Sequence, residues 1–148
     1  MPYHRPSVRK VILAVAACCF IPALAGATSS AICPPSIADT SIKLDPVPAG
    51  WTAYIASPLY LKSAAPIDGP PQRKGELVPT AERKSTGQTI FVWQLEGVFP
   101  DGKWLQCSYG EYGQVTLSKR MEESVSRCEV RYKKGSKAGR NEIGIDCR

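Results

Sequence analysis

Histidine and cysteine are the residue types that could do chemistry in this chain, and their positions restrict which chemistry is available. The sequence contains one histidine, His4, and six cysteines. His4 lies in an N-terminal segment with the pattern of an export signal, so its removal would exclude His-based acid–base catalysis, Ser/His/Asp triads and nearly all zinc sites. If the four cysteines after this segment form disulfides, no thiol nucleophile remains.

Carboxylates are the remaining candidates for catalysis. A carboxylate pair or a Ser/Lys dyad is still possible, but the acidic residues are candidates only because they are present. One of them is explained by a turn and the others are typical of solvated surface: Asp68, Glu76, Glu82, Asp101 and Glu111. No glycine-rich loop follows a strand and opens a helix, so the sequence has no phosphate-binding motif. We therefore predict a protein without enzymatic activity, metal or cofactor.

The first 27 residues have the three parts of a secretory signal peptide. Arg5, Arg9 and Lys10 form a basic region, residues 11–24 an apolar core, and residues 23–27 a small-residue cleavage region. The apolar core is short and broken by Pro22, and no later segment has the roughly 20 apolar residues of a transmembrane helix. We expect a signal peptide over residues 1–27, a single domain over residues 28–148, and a periplasmic location.

A lipoprotein signal is the competing interpretation of this segment. Residues 15–18 resemble a lipoprotein cleavage box, in which Cys18 would be lipidated and would anchor the protein in the outer membrane. Cleavage there would leave Cys19 unpaired. Cleavage near residue 27 removes both Cys18 and Cys19 and leaves an even number of cysteines, as expected in an oxidising compartment.

The charge of the processed chain is mild. The full sequence has 19 Lys+Arg and 13 Asp+Glu; without Arg5, Arg9 and Lys10 the balance is 16 to 13, a net charge of +3. This value does not indicate a nucleic-acid partner. A basic run near the C-terminus could form weak contacts with an acidic partner or the anionic envelope, or could be a solvated hairpin tip: Arg131, Lys133, Lys134, Lys137 and Arg140.

The segment 90–110 carries the clearest structural pattern. Pro100, Asp101 and Gly102 suit a three-residue hairpin loop, because Pro fits the first turn position and Gly the left-handed one. This loop predicts pairs of Phe99 with Lys103, Gly97 with Leu105, Leu95 with Cys107 and Trp93 with Tyr109. The resulting register places one apolar row on a single face: Phe91, Trp93, Leu95, Leu105, Cys107 and Tyr109.

Other short segments with strand patterns flank this one. They cover residues 51–57, 59–64, 113–118, 127–133 and 142–147, while residues 66–87 are rich in Pro and Gly and predict a long loop. A helical turn is expected within residues 119–126. The fold class expected is therefore all-β, an antiparallel sandwich or partly closed barrel of about seven short strands stapled by two disulfides.

The last two strands suggest how the cysteines pair. Pairing Tyr132 with Ile143 places Cys128 opposite Cys147 on the inward face, which makes a disulfide between them plausible and leaves Cys33 to bridge Cys107. Four cysteines permit three pairings, so the other two connectivities stay open.

Two features are candidates for contact with a partner. The first is the stiff Pro/Gly segment within the predicted loop, and the second is a tryptophan on the face opposite the apolar row, which either is covered by a second layer or is an exposed aromatic anchor. The predicted contact residues are Asp68, Gly69, Pro70, Pro71, Arg73, Lys74, Glu76 and Trp104.

Short strings spread over most of the chain carry a resemblance to a known family. They are Cys33-Pro34, Gly50-Trp51, Gly69-Pro70-Pro71, Leu77 with Pro79, Trp93, residues 104–109, residues 128–132 and Cys147. Together they resemble a family of small exported proteobacterial proteins, some of which resemble periplasmic immunity proteins of type VI secretion effectors. The resemblance implies a non-enzymatic protein that binds an exported toxin directed at peptidoglycan and occludes its cleft. The alternative is a cell-envelope protein with a structural or ligand-binding role, which would be lipidated at Cys18 if the lipoprotein interpretation of the signal holds.

Overall fold

The structure, a computed structural model, describes Met1 and residues 32–136 and 140–148. The described residues form eight strands in two four-stranded sheets, in which all strand pairs are antiparallel. The strands are β1 (Ser36–Ile37), β2 (Leu59–Asp68), β3 (Ala81–Ser85), β4 (Gln88–Gln94), β5 (Lys103–Tyr109), β6 (Val115–Arg120), β7 (Arg127–Lys134) and β8 (Asn141–Cys147). Two 3-10 turns cover Asp39–Ser41 and Pro71–Arg73. The predicted all-β class is confirmed.

The first sheet has the order β1-β2-β5-β6 and the second β3-β4-β7-β8. In β5 each second residue is buried, which gives the inward-facing row Leu105, Cys107 and Tyr109. The second sheet adds Trp93, Cys128 and Val130 to the same core. The two sheets therefore face each other, and β2 of the first contacts β7 and β8 of the second to form a half-barrel.

The predicted hairpin over residues 90–110 is wrong, although its turn and its apolar row are present. Strand β4 pairs with β3 and β7, whereas β5 pairs with β2 and β6, so the two segments belong to different sheets. The Gly102 N–H donates to the carbonyl of Phe99 at 2.9 Å, but this turn lies in a connection that passes from one sheet to the other. Residues of a hairpin and residues of two facing sheets can bury the same row of side chains, and alternation alone does not separate the two cases.

The predicted loop over residues 66–87 is also wrong at both ends. Pro66 and Ile67 belong to β2, and Ala81–Ser85 is β3. Pro66 is tolerated because its nitrogen faces the same edge of β2 as the N–H groups of Ala64 and Asp68, which bond outside the ladder with β5. The proline therefore removes no ladder hydrogen bond.

Three smaller expectations differ from the structure. Residues 51–57 form no strand, and Trp51 and Tyr54 within them are exposed. The strand predicted over residues 113–118 begins only at Val115, which pairs with Tyr109, so the β5–β6 turn spans residues 110–114. Instead of a helical turn over residues 119–126, the chain continues in β6 to Arg120 and then turns, with the Val125 N–H donating to Glu122 O at 3.1 Å.

Both disulfides are present with the predicted partners. Cys128 faces Cys147 in the β7–β8 register, with Cα atoms 4.0 Å apart, and Cys33 is joined to Cys107 with Cα atoms 5.7 Å apart. The first bridge staples two strands of one sheet, and the second fixes the segment before β1 to the centre of β5. Across the described part of the chain, no helix is long and apolar enough to cross a membrane.

Candidate partner-binding surface

The predicted contact residues meet at one end of the sandwich. In the β2–β5 register, Ile67 lies opposite Trp104 and Asp68 opposite Lys103. The chain leaves β2 at Asp68, so the connection that follows, residues 69–76, begins beside Trp104. Two features that were separate in the sequence thus form one region, which we call the Trp104 surface: residues 68–76, Asp101, Trp104 and Arg120.

The connection 69–76 is closed on itself by backbone hydrogen bonds. The Asp68 N–H donates to Gly75 O at 2.8 Å, and the Gly69 N–H donates to Gly102 O at 2.9 Å. Gly69 has φ +76°, a conformation that favours glycine, and a side chain at Gly75 would collide with the backbone of Asp68. Pro71 opens the 3-10 turn, and Lys74 ends it with φ +52°. The connection is therefore a compact, ordered protrusion.

Trp104 and Asp101 join this protrusion to the turn before β5. Trp104 lies half-buried on the outer face of the first sheet, and its indole Nε1–H donates to Asp101 O at 3.0 Å. The carboxylate of Asp101 forms an ion pair with Arg73, and the methylene Cβ of Asp101 packs close to Gly69. Asp101 thus contacts both the connection 69–76 and Trp104.

Sequence reasoning missed the roles of Asp101 and Arg120. Arg120 of β6 lies opposite Trp104 in the ladder, its guanidinium packs over Gly102, and it pairs with Glu123 at 2.8 Å. The register of β6 against β5 is the signal that could have predicted the position of Arg120 beside Trp104.

The predicted contact residues are exposed to different degrees. Arg73, Lys74 and Glu76 are exposed, Pro70, Pro71 and Trp104 are half-buried, and Gly69 is buried. One oxygen of Asp68, Oδ1, is buried and has no hydrogen-bond partner among the described residues. The surface accordingly presents an apolar centre of prolines and tryptophan with charged side chains around it, the composition typical of interface anchors with a polar rim.

The carboxylates considered for catalysis do not form a site. Glu82 pairs with Lys84 at 2.9 Å, and Glu111 lies in the β5–β6 turn at the opposite end from Asp101. In the described ranges no three His, Cys, Asp or Glu side chains are grouped as a metal site. A hydrogen bond from Arg127 lowers the pKa of Glu129, with Arg83 and Arg148 adding to the effect, so this carboxylate is a charged partner of arginines.

Comparison with known proteins gives one match. No curated protein and no solved structure matches the chain. The family model of the type VI secretion system Tli immunity protein matches residues 56–148, which include β2 to β8 and the whole Trp104 surface, but not Cys33 or the segment that follows it. The chain therefore belongs to the family of type VI secretion system Tli immunity proteins.

Proposed function

We propose that this protein is a periplasmic inhibitor that binds an exported toxin through the Trp104 surface and occludes the toxin's active-site cleft. Membership of an immunity family supplies a toxin as the partner. The inhibitor itself performs no catalysis in this proposal, since binding alone blocks the cleft. The observation that carries the proposal is the closed, ordered connection 69–76 beside Trp104.

The order of this protrusion is what an inhibitor requires. A floppy loop loses conformational freedom when it binds, and this loss subtracts from affinity. Here backbone bonds at Asp68 and Gly69, the fixed φ angles of Pro70 and Pro71, and the Arg73–Asp101 ion pair order the segment beforehand. Trp104 then supplies a large apolar contact, and Lys74 a charge for acidic groups of the partner.

The periplasmic location is supported by the disulfides and by the predicted signal peptide. Both bridges join residues that follow the predicted cleavage region, and such bridges form in oxidising compartments. Intact-mass measurement of protein from the periplasm should show a chain that begins within residues 26–29, with four hydrogens fewer than the reduced form. A lipid-modified Cys18 would contradict this part of the proposal.

Peptidoglycan is the toxin substrate that the sequence resemblance implies. An occluding inhibitor blocks a cleft whichever bond the toxin cleaves, so the assay must identify the product. Cells producing the cognate toxin in the periplasm should release muropeptides, and co-production of this protein should stop the release. Release of fatty acids from phospholipids instead would overturn the peptidoglycan assignment while leaving inhibition by occlusion in place.

The binding surface is tested by one substitution and one matched control. Trp104→Ala should weaken toxin affinity at least about 30-fold, as expected for a central aromatic anchor worth about 2 kcal/mol, and should abolish protection. Tyr112→Ala removes an aromatic side chain that is 83% exposed at the opposite end of the sandwich and should leave affinity unchanged. Thermal unfolding of both variants checks that the fold is kept. Full protection by a folded Trp104→Ala variant would place the binding surface elsewhere.

A further inference from the structure

The end of the sandwich opposite the Trp104 surface is rich in cationic side chains. One depression of about 460 Å³ is lined by Tyr60, Lys62 and Arg140, and a second of about 420 Å³ by Lys84, Lys133 and Lys134. Asn141 lines both, so the two depressions adjoin. Three carboxylates lie at the same end, Glu82, Glu111 and Glu142, against these five cationic groups, and the segment 38–58 that leaves this end adds Asp39, Asp45 and Lys43. We call this region the basic end.

The cations of the basic end differ in how they are held. The Arg140 guanidinium lies 3.5 Å from the centroid of the Tyr60 ring, in a cation–π contact. Lys84 pairs with Glu82. In the two described ranges no ion pair involves Lys62, Lys133 or Lys134, and all three are exposed. Lys137 of the basic run lies outside the described residues.

An arm with exposed apolar side chains projects from the same end. Residues 38–58 leave the first sheet after Ile37 and return at Leu59, and these two residues are paired with each other. Within the arm, Trp51 is 75% exposed, Tyr54 84% and Leu44 58%. Leu44, Val47 and Trp51 line an apolar depression of about 440 Å³ together with Pro46 and Pro48. No strand of the described chain covers this depression.

We propose that the arm and the basic end together dock on an anionic phospholipid bilayer, leaving the Trp104 surface directed away from the membrane. Trp and Tyr rings prefer the boundary between headgroups and acyl chains, and lysines next to them are attracted by anionic headgroups. Residues 38–55 of the arm lie before the region matched by the immunity family, whereas the basic end lies within it, and the proposed docking does not depend on the toxin.

Charge complementarity selects the bilayer over other occupants of the apolar depression. A protein or a second copy could also cover Trp51 and Tyr54, but neither requires the unpaired lysines at the end of the sandwich from which the arm leaves. Attraction to headgroups is screened by salt, whereas apolar contact is not, so binding through both should weaken with salt without vanishing. This dependence distinguishes the proposal from apolar association alone.

The experiment is co-sedimentation of the exported protein with lipid vesicles in the absence of toxin. Vesicles of phosphatidylglycerol and phosphatidylethanolamine should bind the protein at about 0.05 M salt, more weakly at about 0.5 M, and vesicles of phosphatidylcholine alone much less. Trp51→Ser with Tyr54→Ser, and separately Lys133→Glu with Lys134→Glu, should each weaken binding at least about tenfold. Wild-type fluorescence should shift to the blue on binding, and Trp51→Phe should remove the shift.

A matched charge reversal separates the effect of the basic end on vesicle binding from the effect of net charge. Lys74→Glu with Lys119→Glu changes the net charge by the same amount at the other end of β5 and β6 and should keep vesicle binding. Equal weakening by both charge-reversed proteins would overturn the proposal, as would a wild-type protein that does not bind anionic vesicles. The proposal would also be overturned if an arm variant bound vesicles normally but lost affinity for the toxin, because the arm would then be a toxin contact. The same holds if the arm variant changed only the concentration-dependent oligomerisation of the protein. Loss of vesicle binding with normal toxin neutralisation supports the proposal.

Discussion

The hydroxyl group of Tyr132 donates a hydrogen bond to the carbonyl oxygen of Ala64 at 3.1 Å and accepts one from the N–H of the same residue at 3.2 Å. Tyr132 belongs to β7 and Ala64 to β2, so a side chain of one sheet satisfies the backbone edge of the other. Strand β1 covers only the start of β2. Without Tyr132, two buried backbone groups at Ala64 would have no protein partner, and the closure of the half-barrel would be lost at this point.

Replacing Tyr132 by Phe should destabilise the fold by about 1–3 kcal/mol, because it leaves the N–H and carbonyl of buried Ala64 unpaired while keeping the ring. Urea unfolding followed by fluorescence measures the difference. Tyr54→Phe, at an exposed position, should change the free energy of unfolding by less than about 0.5 kcal/mol. If the two variants were equally stable, the Tyr132 bridge would contribute nothing to closure.

Alkaline pH should act on the same hydroxyl groups. Burial raises the pKa of Tyr132 above 10.0, although its bond to Ala64 opposes the change, and burial also raises the pKa of Tyr109, whose hydroxyl donates to Pro34 O at 2.9 Å. A raised pKa in the folded state favours the neutral phenol. Stability should therefore be complete below pH 10 and fall as pH rises through the folded-state pKa values. Tyr132→Phe should flatten this fall, as measured by urea unfolding at a series of alkaline pH values.

The sequence predicted the inward faces of the strands better than their partners. Trp93, Leu95, Leu105 and Tyr109 are all in the core, as alternation indicated. Trp93 belongs to β4 of the second sheet and Leu95 follows that strand, whereas Leu105 and Tyr109 belong to β5 of the first sheet. The Pro100–Gly102 turn was recognised correctly as a turn. Whether a turn joins paired strands or facing sheets depends on pairings with β2 and β7, which are far away in sequence.

The register of the β7–β8 hairpin could be predicted because its signals are local. Alternation around Tyr132 and Ile143, with a cysteine at each open end, suggests the register that the structure confirms, although the four cysteines alone left three pairings open. The binding candidates were found separately, as a stiff segment and a tryptophan. Their proximity follows from the pairing of Ile67 with Trp104, which the wrong hairpin had concealed.

The two disulfides should contribute unequally to stability. Cys33 and Cys107 are 74 residues apart in sequence, and Cys128 and Cys147 are 19 apart. In the chain-entropy account a bridge closing a longer loop restricts the unfolded chain more, with about 3 kcal/mol for 15 residues and about 4.7 for 100. Replacing the pair Cys33/Cys107 by alanine should therefore cost about 1 kcal/mol more than replacing Cys128/Cys147. Denaturant unfolding of both double variants tests the order, and a larger loss for Cys128/Cys147 would contradict it.

Lys103 should be a structural residue despite its charge. It is 7% exposed, and its Nζ donates to the carbonyls of Glu123 at 3.0 Å and Val125 at 2.7 Å. Lys103→Met keeps a long apolar stem but leaves both carbonyls without this donor, with an expected loss of about 1–3 kcal/mol. Hydrogen exchange should become faster at Val125, whose N–H bonds within the same turn to Glu122. Unchanged stability and exchange would show that water replaces the amine without cost.

The Arg73–Asp101 ion pair should matter for binding more than for stability. Both side chains are about half exposed, and such pairs are worth about 0–1 kcal/mol to folding. Their separate role is to position the connection 69–76 against Trp104, since the Asp101 carbonyl also accepts the indole N–H. Asp101→Asn keeps that carbonyl and removes only the charge. We expect it to weaken toxin binding by about fivefold to tenfold, an entropic cost of ordering a loosened segment.

A double-mutant cycle distinguishes positioning from direct contact with the toxin. If Arg73 acts through Asp101, then Arg73→Gln and Asp101→Asn should each weaken binding by a similar factor, and the combined variant should be little worse than either one. Calorimetric titration of the toxin into each protein gives the four affinities. Arg120→Gln with Glu123→Gln, which removes the neighbouring ion pair, serves as the comparison. If instead the loss of affinity in the combined variant equals the product of the two single losses, each side chain contacts the toxin independently. The ordered connection would then not be the source of affinity.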